Sequence, residues 1–157
     1  MFTVNWWCQV YVYKLGMRLF GILFMYFLNT TAYEGAGVQI FKEGYTLMVQ
    51  GARSGRWGFP KGHREPFDTN WRATAVREVF EETGFQEHIN YEICDEDLVK
   101  HWGSRLYWTG HLIQDREPVI NKTEHRAVEW VPLEELDNRR VTRDVEEWVL
   151  DGMPDRC

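Results

Sequence analysis

The chain has 157 residues, a 15% aromatic content with eight Trp, and a formal net charge of −6. That length supplies one domain with a real hydrophobic core, and the acidic balance argues against a protein that grips a long nucleic acid by itself, because such affinity comes from Lys and Arg displacing phosphate counterions. The three cysteines, Cys8, Cys94 and Cys157, have neither metal-ligand spacing nor an even count and read as reduced thiols in a reducing, cytoplasmic setting.

Residues 1–31 differ from the rest: they are apolar and aromatic, with only Lys14 and Arg18 charged. The run from Leu19 to Leu28 is short of the roughly twenty apolar residues a membrane span needs. Three readings stay open for it: a membrane-targeting segment or anchor, a hydrophobic element packed on the domain, and a leader outside the functional fold. Residues 32–152 read as the folded domain. Gly35 to Phe41 and Tyr45 to Gln50 are strand candidates around the turn Lys42-Glu43-Gly44. Gly51 to Gly55 is a polar, basic loop, and Trp57 to Pro66 a loop punctuated by Gly and Pro. Asp68, Thr69 and Asn70 are N-cap candidates and Gly84 a C-terminal stop, which predicts a helix over 71–83. Tyr91 to Cys94, Arg105 to Ile113 and Ala127 to Val131 read as further strands. Pro132 opens a short helix through Leu136, and Val141 to Leu150 an amphipathic closing helix with Val145, Trp148 and Val149 together. The sum is an α/β domain, a mixed sheet flanked by helices.

The helix over 71–83 carries the chemistry. At about 100° per residue, Glu78, Glu81 and Glu82 project within roughly a third of a turn of one another, while Ala73, Val76 and Phe80 fall opposite. Three stacked carboxylates repel, which makes a poor solvated helix. They make sense around a divalent cation, and hard cations such as Mg²⁺ or Mn²⁺ take oxygen ligands and work on phosphates.

The stretch Arg77-Glu78-Val79-Phe80-Glu81-Glu82-Thr83-Gly84-Phe85, following Trp57-Gly58-Phe59-Pro60-Lys61-Gly62, resembles the signature of the Nudix hydrolases. The resemblance implies an α/β/α sandwich and cleavage of a diphosphate linkage in a nucleoside diphosphate joined to another group. It implies metal ligation by Glu78, Glu81, Glu82 and the Lys61 carbonyl, with Arg77 orienting Glu81 four residues away. The pattern departs in one place. From Gly62 the usual offset reaches Asp68 in place of Glu, and counting back from Arg77 lands on Thr69, so the loop before the helix carries one extra residue.

Within that superfamily, Val49-Gln50-Gly51, Arg105-Leu106-Tyr107 and Glu124 ahead of Arg126 and Glu129-Trp130 are similar to the catalytic domain of eukaryotic mRNA-decapping enzymes over roughly residues 33–136. That similarity implies Glu124 as metal ligand or general base and a capped-RNA substrate; a protein activator is a candidate partner on which the sequence itself is silent. Two features depart from it. The first 31 residues do not supply the helical regulatory domain of those enzymes, and the basic cluster Arg139, Arg140 and Arg143 is followed by Asp144, Glu146, Glu147 and Asp151 where a basic RNA-binding segment is expected. A small-molecule Nudix hydrolase is the alternative. Lys61-Gly62-His63 also resembles dinucleoside polyphosphate and diphosphoinositol polyphosphate hydrolases, and Arg53, Arg56, Lys61 and Arg64 suit a polyphosphate as well as a cap. Trp102 or Trp108 is a candidate purine platform, although in so aromatic a chain each reads first as core. A catalytically silent Nudix binding module is the reading of another class; retention of all three glutamates counts against it.

Overall fold

Gly35–Lys42 (β1) and Tyr45–Gly51 (β2) form the hairpin that the sequence predicts, in a computed structural model that describes residues 33–95 and 99–153. Phe41 faces Thr46 and Lys42 faces Tyr45. The two turn residues between them, Glu43 at φ 36° and Gly44 at φ 86°, adopt the primed-turn hand that matches the twist of paired strands. Beyond the turn the two strands part. Trp57–Gly58 (β3) pairs with β2 through Val49 and Gln50, and Lys61–Gly62 (β4) pairs with β1 through Ala36 and Gly37. The segment read as one loop therefore contains two minimal strands set against β1 and β2, too short to carry a periodicity.

Tyr91–Ile93 (β5), Lys100–Trp102 (β6), Arg105–Leu112 (β7) and His125–Pro132 (β8) complete an eight-stranded sheet. Its path runs β3-β2-β1-β7-β5, with β4 on β1, β6 on β7 and β8 on β2. The β1–β7 pair is parallel and the others antiparallel, so the sheet is mixed. The strand expected over 127–131 begins two residues earlier, at His125, and this extension places His125 opposite Gly51 across an irregularity at Gln50 and Gly51. The short β6 carries no alternation of its own and was not expected from the sequence.

Helix α1 spans Trp71–Thr83, as the sequence predicts. Asn70 is its N-cap, with Oδ1 accepting from the Ala73 N–H at 2.8 Å, and Gly84 stops it at φ 71° with its N–H on the Phe80 carbonyl. The short helix expected from Pro132 through Leu136 is a 3-10 helix over Leu133–Asn138 with Pro132 at its N-cap. Helix α2 spans Arg143–Leu150. Ala75 and Val79 of α1 pack with Ala36, Val38, Ile40 and Leu47 in one cluster. Val145 and Trp148 of α2 pack with Phe41, Met48, Phe59 and Tyr107 in another. Alternate residues of β1 thus serve two cores on opposite faces, the α/β/α layering that the side-chain period of two permits.

Cys94 is disulfide-bonded, which corrects the expectation of three reduced thiols. No helix among the described residues is long and apolar enough to cross a membrane. The three readings of residues 1–31 lie outside the described residues.

Candidate metal and active site

Helix α1 buries two of its three acids and leaves Glu81 exposed. Glu78 is 8% exposed and Glu82 4%, beside the fully buried Ala75 and Val79, whereas Phe80 on the far side is 55% exposed. Burying a carboxylate costs several kcal/mol unless a partner compensates it, and each buried acid here has named partners.

Arg77 supplies one set. Its Nη1 lies 2.8 Å from Glu78 Oε1 and donates to Glu81 Oε2 at 2.7 Å, while Nη2 donates to the His63 carbonyl at 2.8 Å. The other edge of the guanidinium grips Asp68, Nε to Oδ1 at 3.0 Å and Nη2 to Oδ2 at 2.9 Å. Asp68 also accepts from Thr74 Oγ1 and from the Glu65 N–H. The Arg77 hydrogen bond is the main reason its carboxyl sits at about 2 in spite of burial, and Asp68 in turn raises the guanidinium. Asp68 therefore anchors the loop to Arg77.

Glu82 is held differently. Its Oε2 accepts the Lys61 backbone N–H at 3.0 Å, and its Oε1 lies 3.2 Å from His125 Nε2. Burial pushes its carboxyl up to about 8, against the pull of Lys61. Burial also raises Glu78, opposed by Arg77, and lowers the His125 imidazole, opposed by Glu124. Glu124 stands in the exposed turn before β8, its carbonyl accepting from the Ala52 N–H at 2.8 Å.

One ligand atom each from Glu82, Glu124 and His125 lies within 4.8 Å of the others. Among the described residues, His125 Nδ1 finds no hydrogen-bond partner. Glu78 presses on the backbone at Gly62, where an added Cβ would stand 2.2 Å from its carboxyl carbon. Carboxylate oxygens with one imidazole fit a hard divalent cation such as Mg²⁺ or Mn²⁺.

The structure thus brings Glu82 and Glu124 together with His125, while Arg77 gathers Glu78 and Glu81. Among the basic residues, Arg56 Nη1 donates to the Val141 carbonyl at 2.7 Å, and Arg64 donates to the Asp68 and Thr69 carbonyls over the Trp71 ring. Lys61 Nζ lies 3.5 Å from Asp144 Oδ2, and Arg53 is exposed in the loop between β2 and β3. Trp102 and Trp108 are both buried, as core residues are. Sequence reasoning missed His125, whose place depends on the β2–β8 register, and the clamp of Asp68 on Arg77. The shared offset from Gly62 pointed to Asp68, and the extra loop residue obscured it.

A family model described as NUDIX domain matches residues 33–150. The mRNA-decapping enzyme subunit 2 of Arabidopsis thaliana is 31% identical over 105 residues, 64% of this chain and 28% of that protein, so the chain spans little more than a quarter of that relative's length. Among solved structures, a Caenorhabditis elegans Ap4A hydrolase binary complex superposes with a TM-score of 0.63 at 22% identity, covering 76% of this chain and 96% of that one. The NUDIX domain of Shewanella oneidensis NrtR complexed with ADP ribose gives 0.56 at 17% identity, over 76% and 84%.

Proposed function

Since the chain belongs to the Nudix family, and is a Nudix hydrolase, we propose that it cleaves the diphosphate bridge of the mRNA 5′ cap, using the acids gathered at Glu82. The products would be a nucleoside diphosphate carrying the cap and a 5′-monophosphate RNA. The observation that carries this is Glu82 itself, a carboxylate buried between the Lys61 N–H and His125 with Glu124 alongside. A protein gains nothing in stability from so desolvated an acid with its pKa driven upward.

In this reading Glu78, Glu81, Glu82, Glu124 and the Lys61 carbonyl hold Mg²⁺ or Mn²⁺, with His125 beside them. A divalent cation there would neutralise charge on the phosphoryl oxygens and lower the pKa of a bound water. Arg77 fixes the rotamers of Glu78 and Glu81, since one Nη1 reaches both. Glu124, in an exposed turn at the rim, takes the proton from the attacking water. Arg53, Arg56 and Arg64 are the basic side chains nearest in sequence for the phosphate chain. The capped-RNA assignment is supported by the likeness to the plant decapping subunit and by Glu124 standing where that likeness requires a carboxylate.

A dinucleoside polyphosphate is the second reading. It is favoured by the net charge of −6, which suits a short polyphosphate better than an RNA body. The two are separated by offering the protein labelled capped RNA beside diadenosine polyphosphates with Mg²⁺ or Mn²⁺. Release of the methylated nucleoside diphosphate without dinucleotide turnover is the expected result, and the reverse outcome removes decapping. Loss of all hydrolysis in purified protein with metal supplied would favour a binding module.

A further inference from the structure

We propose that Asp144, on the helix across the sheet from α1, is a positioning residue for the metal centre: it tethers the Lys61 side chain so that the Lys61 peptide stays docked on Glu82. The inference rests on the metal-dependent reading above and concerns that same site.

Lys61 is held at its peptide and at its ammonium. Its backbone N–H donates to Glu82 Oε2 at 3.0 Å, and its Nζ lies 3.5 Å from Asp144 Oδ2 and donates to the Phe59 carbonyl at 3.4 Å. Asp144 stands in the first turn of α2, where a carboxylate would ordinarily face solvent and complement the helix dipole. Here it is buried, and the Tyr107 hydroxyl donates to it from β7. The opposition of Lys61 and its hydrogen-bonded neighbours to burial keeps its carboxyl below the ordinary value.

A glycine clears the path of the ammonium: a Cβ at Gly58 would stand 2.8 Å from Lys61 Nζ and 3.0 Å from Thr142 Oγ1. A lysine pinned in this way gives up the rotamer freedom of a long side chain. A lysine that only swings out to meet a phosphate needs neither the buried acid nor the space left beside it by Gly58. The same residue belongs to β4, which has just two residues and little pairing of its own to hold the peptide still.

The test is Mn²⁺ binding to the full chain without substrate, by titration calorimetry. Asp144→Asn should weaken Mn²⁺ by about tenfold, the scale for losing a group that orients a ligand, and should lower kcat more than it raises KM. Lys61→Met keeps the peptide and removes the ammonium, and it should weaken Mn²⁺ to the same extent. The double variant should be no weaker than either single one, because both cut one tether. Arg143→Ala, next door on α2 and 85% exposed at its side chain, should leave Mn²⁺ affinity unchanged. Mn²⁺ affinity within about twofold of the parent in Lys61→Met, with KM raised, would place the ammonium on the substrate and overturn the tether. This variant decides the matter even if Asp144→Asn fails to fold. A parent that binds Mn²⁺ but spares capped RNA removes the decapping assignment and leaves the tether to these variants; a parent that binds no Mn²⁺ overturns both.

Discussion

Arg77 and Asp68 meet as a two-point fork, Nε on Oδ1 at 3.0 Å and Nη2 on Oδ2 at 2.9 Å, across the loop that precedes α1. The fork sets the plane of the guanidinium, and the free edge of that plane reaches Glu78 and Glu81. The loop residue and the helix acids are therefore one unit. Asp68→Asn should cost about 3 kcal/mol, as expected when one partner of a buried ion pair is removed, and should lower activity as well. The pH dependence follows from the sign. Asp68 falls from 3.8 to about 2 in the fold, so its stabilisation is complete above the unfolded value and is lost as pH drops through about 2. Urea denaturation from pH 5 to pH 2 should show this loss in the parent and a flatter profile in Asp68→Asn.

Glu82 has the opposite sign. Its carboxyl moves from 4.5 up to about 8 because burial penalises the charged form. Between those values the metal-free native state binds the extra proton, so its stability falls as pH rises across that window. A cation competes with the same proton, so Mn²⁺ should bind about tenfold or more tightly at pH 8.5 than at pH 6.5 and should release a proton on binding. Calorimetry in buffers of different ionisation enthalpy measures both quantities. Glu82→Gln should abolish the stability trend, weaken Mn²⁺, and lower phosphohydrolase activity by at least about 100-fold. Unchanged activity in that variant would assign the hydrolysis to another site or another protein.

Glu124 allows a cleaner separation of activity from stability. Its exposed side chain accepts a long hydrogen bond from Asn121 Nδ2 at 3.4 Å, which a Gln oxygen can also accept, and its carbonyl ties the turn to Ala52. Glu124→Gln should leave the unfolding free energy within about 0.5 kcal/mol, the usual range for a surface change. Its activity should fall by at least about 100-fold if the carboxylate accepts the proton from water. Equal kcat in parent and variant across pH 6 to 9 would remove Glu124 from the chemistry.

Much of this was legible in the sequence, for physical reasons. Helix α1 announces itself through Asn70 and Gly84, which satisfy its end groups locally, and the hairpin through Gly44, which takes positive φ without steric cost. The acids at 78, 81 and 82 are fixed relative to one another by helical geometry alone. What escaped depends on contacts between distant parts of the chain. His125 reaches Glu82 because β8 starts two residues early, in register with Gly51, and no local pattern records that register. Strands β3, β4 and β6 have two or three residues each, fewer than alternation needs to be seen. The sequence also reads Glu78 and Glu82 only as a shared stripe, whereas the fold shows that stripe to be the buried face, continuous with Ala75 and Val79.

Two glycines one strand apart should respond in opposite ways to the same added methyl group. At Gly62 a Cβ would stand 2.2 Å from the carboxyl carbon of Glu78, the far end of a side chain that can swing aside. Gly62→Ala should therefore leave the melting temperature within a few degrees while displacing Glu78, with activity down by at least about tenfold and Mn²⁺ binding weakened. At Gly35 a Cβ would stand 2.1 Å from the Gly62 carbonyl oxygen and 2.9 Å from its carbon. Those are backbone atoms in the β1–β4 pairing, with no rotamer to relieve the clash, so Gly35→Ala should lose about 2 kcal/mol or more through forced overpacking. Paired thermal melts and hydrolysis assays on the two variants distinguish the sites. If Gly62→Ala melts far below the parent, or keeps full activity, then Glu78 does not occupy the space beside that backbone in the working protein.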